Sequence, residues 1–169
     1  EAGGGGGGRV ILSANETMYY IPWGYLEGLK DITFKLDGYM LLHDDISAWD
    51  YSEDENTYMN AIDIRNSSNV TITGSGVGVM DGQGWNWWVG FYKGDVSRRR
   101  PTMIEIDNSV DVLIEKFTML NSPRFHIYCN NVLRLEVQYL TIWVEADSGG
   151  GNVFPYNTDG VDFSGKDIY

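Results

Sequence analysis

Short runs of alternating apolar and polar residues recur along the chain. Residues 61–67 (AIDIRNS) return as residues 103–109 (MIEIDNS), and a second alternating run comes after each of them. Related pairs of runs begin at Phe125 and at Val161. A period of two predicts short strands with one buried and one solvated face, and the Asn, Ser and Gly residues between the runs predict tight corners.

The spacing of these runs is constant over part of the chain. Five apolar residues have an apolar counterpart 23 residues later: Val110, Val112, Ile114, Phe117 and Met119 match Leu133, Leu135, Val137, Leu140 and Ile142. Such a repeat predicts a parallel β-helix, whose coils stack about 4.8 Å apart. A β-sandwich also has short alternating strands but does not require a constant register. A leucine-rich repeat shares the period, but its Leu/Asn consensus is absent.

Two segments interrupt the regular pattern. Residues 74–101 are rich in Gly and Trp, and we interpret them as a loop that crosses close to the backbone and is capped by aromatic side chains. Residues 145–156 form the second interruption and contain three successive glycines, residues 149–151. Residues 1–9 are interpreted as a flexible Gly-rich leader. Residues 10–169 are then expected to form the coils of one domain.

Composition and charge narrow the classes of function. The chain has 21 Gly and 4 Pro, and charged residues make up only 21%, a balance that favours strands over helices. The net charge is −12, and the basic cluster is limited to Arg98, Arg99 and Arg100, which argues against nucleic acid as a partner. An acidic polysaccharide is compatible with this charge, because a local site can differ from the global field. No apolar run approaches the ~18 residues of a membrane span.

A few single residues and short motifs give weaker indications of burial, of location and of cofactor binding. Cys129, the single cysteine, is expected to be a small buried hydrophobe within a strand. Sequons for N-glycosylation occur at Asn15, Asn66 and Asn69, and with the acidic composition they favour a secreted, extracellular protein. The spacing of Asp, Glu and His predicts no metal site, and the glycines near Gly76 lack the context of a dinucleotide loop, so no cofactor is expected.

Four motifs succeed one another along the chain. They are LDG, DDI and Trp49 within residues 36–49, a glycine-rich segment ending in WW at residues 76–88, RP and NSPRFH within residues 100–126, and NTDGVD at residues 157–162. In this order they resemble the family 28 glycoside hydrolases, the polygalacturonases and their relatives. The resemblance covers most of residues 20–169.

The resemblance implies an all-β, right-handed, single-stranded parallel β-helix of the pectin-lyase-like type. It also implies hydrolysis of α-1,4 galacturonosyl bonds of pectin by an inverting acid/base mechanism, with Asp159 as one catalytic carboxylate. An adjacent Asp pair, a Gly-His-Gly and an Arg-x-Lys are expected only after Tyr169. We therefore expect an N-terminal half that is inactive by itself and incomplete at its C-terminal end. The remaining part of the same β-helix, or a stacking chain, would complete it.

Other residues of these motifs have two interpretations. Asn157 is a candidate for substrate binding or for orienting its loop. His126 is a candidate for substrate binding, although a buried structural histidine is the simpler interpretation. Asp162 is interpreted as a structural neighbour on the same coil. The tryptophans of residues 85–88 could stack on a sugar, but packing of the glycine-rich crossing is favoured.

A second class of function stays open at this point. The chain could be a non-catalytic extracellular β-helical module that is structural or binds carbohydrate. The inserted glycines at 149–151 favour this alternative, and so does Tyr156, because the family often has Ser-Pro before the N-T-D sequence.

Overall fold

The computed structural model describes residues 7–22, 24–54, 56–96, 99–145 and 153–169. In chain order the elements are β1 (Gly8–Leu12), β2 (Thr17–Tyr20), β3 (Leu26–Glu27), β4 (Lys30–Leu36), β5 (Tyr39–Leu42), a 3-10 helix (Ile46–Ala48), β6 (Tyr51–Ser52), β7 (Thr57–Tyr58), β8 (Ile62–Arg65), β9 (Ser68–Thr73), β10 (Val79–Asp81), α1 (Trp85–Lys93), β11 (Ile104–Asp107), β12 (Val110–Glu115), β13 (Thr118–Leu120), β14 (Ile127–Gln138), β15 (Thr141–Trp143) and β16 (Val161–Ile168).

The strands form three parallel sheets that the chain visits in turn. The first sheet contains β3, β8, β11 and the first halves of β14 and β16. The second contains β1, β4, β9, β12 and the second halves of β14 and β16. The third contains β2, β5, β10, β13 and β15. Each strand of these sheets pairs with its equivalent one coil away, and only β6 and β7 form a separate antiparallel hairpin among the described strands. This confirms the predicted all-β parallel β-helix.

The predicted register is confirmed where the repeat was counted. Val110 pairs with Leu133 and Ile114 pairs with Val137 in the second sheet. Ile62 pairs with Ile104 in the first sheet. Stacking at equivalent positions is therefore a direct consequence of the spacing in the sequence.

The corner between the first and second sheets is made by residues with positive φ. Asn66, Asn108 and Asn131 have φ values of 50°, 48° and 55° and occupy equivalent positions on successive coils. Asn131 Nδ2 also donates a hydrogen bond of 2.8 Å to Asn108 Oδ1. Asn tolerates the left-handed conformation better than most residues. The asparagines therefore fix both the turn and the stacking of the coils.

The inward-facing residues of the three sheets form one continuous core. Ile64, Ile106 and Cys129 are each at most 1% exposed and lie above one another. Burial raises the pKa of the Cys129 thiol to about 12. This confirms that Cys129 acts as a small core residue.

The glycine-rich interruption is more ordered than predicted. It contains strand β10 and then helix α1, and the strand lies between Gly76 and the helix. Trp87 and Trp88 of the helix are fully buried, and the Trp88 indole donates to the Ser122 carbonyl at 3.0 Å. The prediction of a loop was wrong for this stretch. The Gly and Trp residues favour no single element, and the helix is ordered by the burial of Trp87 and Trp88. The expected packing role is confirmed for both tryptophans.

The beginning of the ordered coils also differs from the prediction. Strand β1 starts at Gly8 and pairs with β4, so paired backbone begins two residues before the predicted boundary at Val10. Residues 1–6 of the expected leader, and the glycines at 149–151, lie outside the described residues. Within the described part of the chain, no helix is both long and apolar enough to cross a membrane.

The connections from the third sheet to the first differ strongly in length. Residues 43–61 carry the 3-10 helix and the β6–β7 hairpin, residues 82–103 carry α1, and residues 144–160 carry the N-T-D sequence. Residues 121–126 make a much shorter connection. All four segments join the third sheet to the first, so their described ends meet the same edge of the first sheet.

The asparagine corner leads to a test of stability. At φ 48°, Asn108→Ala removes the polar side chain whose local hydrogen bonding lets Asn adopt the left-handed conformation. We therefore expect the free energy of unfolding to fall by about 1–2 kcal/mol. Asn108→Gly tolerates this φ and loses only the bond from Asn131, so its loss should be smaller. Urea denaturation measures both variants. Equal losses would contradict the assigned role of backbone conformation.

Candidate functional site

A column of polar side chains runs along the outward face of the first sheet. Asp63, Glu105, Tyr128 and Asp162 occupy equivalent positions on β8, β11, β14 and β16. None of them was a candidate for binding or catalysis in the sequence. A signal was present, because Asp63 and Glu105 are the outward residues of the repeated AIDIRNS and MIEIDNS segments.

Glu105 and Tyr128 of this column line a groove. A hollow of about 490 Å³ is bounded by residues of four neighbouring segments: Thr57, Asn60, Arg65, Arg99, Glu105, Asp107, Arg124, Phe125, Tyr128 and Asn130. Arg65 pairs with Asp63 at 2.8 Å, which neutralises the most buried carboxylate of the column. The rings of Phe125 and Tyr128 stack with centroids 5.7 Å apart and an interplanar angle of 19°. Aromatic faces beside polar groups are suited to binding a sugar.

Glu105 has an unusual protonation equilibrium for an outward residue. Burial, together with the carboxylates of Asp63 and Asp107, raises its pKa to about 7, against a smaller opposing effect of Arg124 and Arg65. At mildly acidic pH the Glu105 carboxyl is therefore neutral and able to donate a hydrogen bond.

Asp159 lies just before β16, next to His126 on the preceding coil. Its side chain is exposed. Its backbone carbonyl accepts hydrogen bonds from the His126 backbone N–H at 3.0 Å and from His126 Nδ1 at 3.2 Å. Burial, and secondarily the Asp159 charge, raise the pKa of Asp162. The two carboxyls therefore interact, while the Asp159 side chain faces solvent.

His126 does not reach the groove. The side chain is fully buried, and burial lowers its pKa, so the imidazole is neutral. In the tautomer with a hydrogen on Nδ1, the ring supports the backbone of Asp159 from below. The substrate-binding interpretation of His126 is thus replaced by a role in holding the loop.

Asn157 and its loop are held by a second buried group. Arg100 is fully buried, and its Nη2 donates to the Tyr156 carbonyl at 2.8 Å and to Asn157 Oδ1 at 3.2 Å. Its guanidinium carbon lies 4.3 Å from the centroid of the Phe91 ring. Burial lowers the pKa of Arg100 to about 10, with a smaller effect of Arg124, so the group stays charged at neutral pH. The structure thus brings Asn157, Asp159 and His126 together, whereas Asp162 lies on the adjoining strand.

Other expected sites are separate from the groove. Among the described residues, no group of three or more His, Cys, Asp or Glu side chains could hold a metal ion. The exposed sequon residues Asn66 and Asn69 donate through Nδ2 to Glu27 and Asp31 on the preceding coil. Asn15 lies in an exposed turn.

The raised pKa of Glu105 predicts a specific dependence of stability on pH. Because the folded state holds this proton more tightly than the unfolded state, its stabilisation is complete below about pH 4.5 and is lost as the pH rises through about 7. Glu105→Gln should therefore raise the free energy of unfolding at pH 8 by roughly 1–3 kcal/mol and change it little at pH 4.5. Denaturant titrations at both values measure this. A gain of the same size at both would refute the assignment.

The buried Arg100 predicts how the loop responds to mutation. Arg100→Lys keeps a buried charge but loses the planar contacts, so we expect a loss of about 2–4 kcal/mol in unfolding free energy. Arg100→Met removes that charge and should cost less. Both variants should increase hydrogen exchange at residues 157–160, measured by mass spectrometry. Unchanged exchange in both would contradict the proposed tether.

Comparison with known proteins places the fold among solved structures. A polygalacturonase from Erwinia carotovora superimposes with a TM-score of 0.74 at 20% identity, covering 95% of this chain and 46% of that one. An endo-xylogalacturonan hydrolase from Aspergillus tubingensis gives a TM-score of 0.69 at 20% identity, covering 95% and 41%. At this identity the likeness establishes the fold.

Sequence relatives give the family. A polygalacturonase of Chamaecyparis obtusa is 33% identical over 137 residues, covering 78% of this chain and 24% of the relative. One of Cryptomeria japonica is 31% identical over 144 residues, covering 81% and 25%. The chain thus spans about a quarter of the length of these relatives. The family model for glycosyl hydrolases family 28 matches residues 24–168, so the chain belongs to this family.

Proposed function

We propose that the protein containing this chain hydrolyses α-1,4 bonds between galacturonosyl units of pectin with inversion. The proposal rests above all on the Asp159 carboxylate, which this family 28 chain exposes to solvent and which interacts electrostatically with Asp162 of the polar column. The similarity to named polygalacturonases supports the same substrate class. Pectin is an acidic polysaccharide, which the net charge of −12 permits because a local site can differ from the global field.

An inverting glycosidase needs two carboxyl groups with different tasks. One is protonated and donates to the leaving oxygen, while the other is ionised and activates water from the opposite face, about 6.5–9.5 Å away. In this proposal Asp159 supplies one of the two. The partner carboxylates come from a later coil, as the resemblance implies. Asp162 acts through its electrostatic interaction with Asp159.

Asn157 is the proposed substrate-binding neighbour of Asp159. Its Oδ1 already accepts a hydrogen bond from Arg100, which leaves the amide nitrogen as the group that can donate to a sugar hydroxyl. Its φ of 58° turns the chain immediately before Asp159. Binding of a sugar at Asn157 would therefore place the glycan beside the proposed catalytic carboxylate.

An extracellular location and N-glycosylation belong to the same proposal. A polymeric cell-wall glycan is met outside the cell, and the named relatives are polygalacturonases of plants. Asn15 is the preferred acceptor, because the Asn66 and Asn69 amides already donate within the stack of coils.

The proposed role of Asp159 is tested by a charge-neutral substitution. Asp159→Asn in the full-length protein should reduce the release of reducing ends from polygalacturonate by at least about 10²–10⁴-fold, because the proton-transfer group is lost. Asp167→Asn is the matched control: Asp167 is exposed and has a φ of 58° that Asn also adopts. The control should keep wild-type activity.

Two results would contradict this assignment. Activity retained by Asp159→Asn would refute the role of this residue. A folded wild-type protein that releases no reducing ends from polygalacturonate would refute the proposed reaction and favour a non-catalytic carbohydrate-binding module.

A further inference from the structure

Arg124 occupies a position between two hollows of the surface. It lies in the short connection of residues 121–126 and lines the hollow of about 490 Å³ on the first sheet. It also lines a second hollow of about 550 Å³, whose other boundaries are Phe91, Tyr92, Tyr156 and Asn157. Residues of the neighbouring connections, among them Arg99 and Tyr156, line one or the other hollow. A chain molecule that passes from one hollow to the other therefore passes Arg124.

The Arg124 guanidinium is half-buried and has no anionic partner at contact distance. Its central carbon lies 4.2 Å from the centroid of the Phe125 ring, which leaves the edge of the planar group available. No hydrogen bond or ion pair joins it to another residue in the described part of the chain. Glu105 and Asp162 influence it only through space. A partly desolvated guanidinium with free donors is a strong binding site for a carboxylate.

The second hollow adds an aromatic wall. Phe91 and Tyr156 meet edge to face with centroids 5.6 Å apart, and Phe154 packs against Tyr156 at 5.0 Å. Tyr92, Phe154 and Tyr156 are 67%, 65% and 42% exposed. Exposed rings of this kind offer faces to the C–H groups of a pyranose. The wall begins next to Asn157 and so adjoins the proposed catalytic loop.

We propose that Arg124 and this aromatic wall form a binding site for hexuronate units of a glycan. The guanidinium binds the sugar carboxylate, and the rings of Tyr156 and Tyr92 contact the neighbouring unit. Arg124 then selects free carboxylates over their methyl esters, which cannot form a charge-assisted bidentate contact. This site rests on the proposed function and assigns it a residue that determines substrate class.

Local charge makes the site dependent on pH. The titratable and charged groups around Arg124 and Glu105 are Asp63 and Arg65 on β8, Arg99 before β11, Asp107 on β11, Tyr128 on β14 and Asp162 on β16. An incoming carboxylate is repelled when Glu105 ionises, whereas the protonated carboxyl can donate to it. Binding should therefore be tighter at pH 5 than at pH 8, and Glu105→Gln should remove most of the difference.

The experiment measures binding of defined oligosaccharides by calorimetry. The full-length protein carries Asp159→Asn so that ligands survive, and the probes are trigalacturonate and its methyl ester. Arg124→Gln should weaken binding of trigalacturonate at least about tenfold, the usual effect of losing a charge-assisted hydrogen bond, and binding of the ester by less than about twofold. Arg124→Lys should fall between. Arg134→Gln is the matched control, since Arg134 pairs with Asp111 on the second sheet.

The outcomes separate this site from the proposed reaction. Equal weakening for both probes, or unchanged binding of trigalacturonate in Arg124→Gln, overturns the site even if the wild type hydrolyses polygalacturonate. Binding that depends on Arg124, in a wild-type protein that releases no reducing ends, supports the site and overturns the reaction. Should Arg124→Gln fail to fold, Arg124→Lys and Tyr156→Leu test the same contacts. Trigalacturonate binding unchanged in both overturns the site.

Discussion

In-register stacking of successive coils is the constraint on which the whole structure depends. Every strand of the three parallel sheets pairs with its equivalent one coil away, so a residue's neighbours are fixed by its position in the repeat. The left-handed corners at Asn66, Asn108 and Asn131 maintain this register, because each coil must turn at the same place to stack. A change of conformation at one corner would displace the outward residues of every strand paired with it, and the groove with them.

The same stacking brings like charges together. Asp63 and Glu105 are neighbours in the outward column only because their strands pair in register, and their proximity contributes to the high pKa of Glu105. The sheet partly offsets this repulsion through the ion pair of Arg65 with Asp63. A β-helix can thus shift the pKa values of groove residues whose pKa values would be ordinary in isolation. Such shifts are useful for binding an acidic polymer.

The repeating strands could be predicted from the sequence, whereas the structure of the segments that connect the third sheet to the first could not. Pairing of Val110 with Leu133 could be counted, and Asp159 was recognisable from its motif. Helix α1 was missed because Gly and Trp favour no single element, and its order comes from burial of Trp87 and Trp88. The position of Arg124 depends on the unequal lengths of neighbouring connections, which become adjacent only after the coils stack. A period in the sequence contains no information on that adjacency.

Beneath the proposed catalytic loop, the protein buries polar groups that are only partly hydrogen-bonded. Arg100 and His126 are fully buried, and among the described residues Arg100 Nε, Arg100 Nη1 and His126 Nε2 have no hydrogen-bond partner. Each such group costs desolvation energy of about 1–3 kcal/mol. In return, their remaining donors hold the carbonyls of Tyr156 and Asp159 from the interior side. Fixing the backbone from below leaves the Asp159 carboxylate exposed to solvent, an arrangement in which stability is given up for the position of one reactive group.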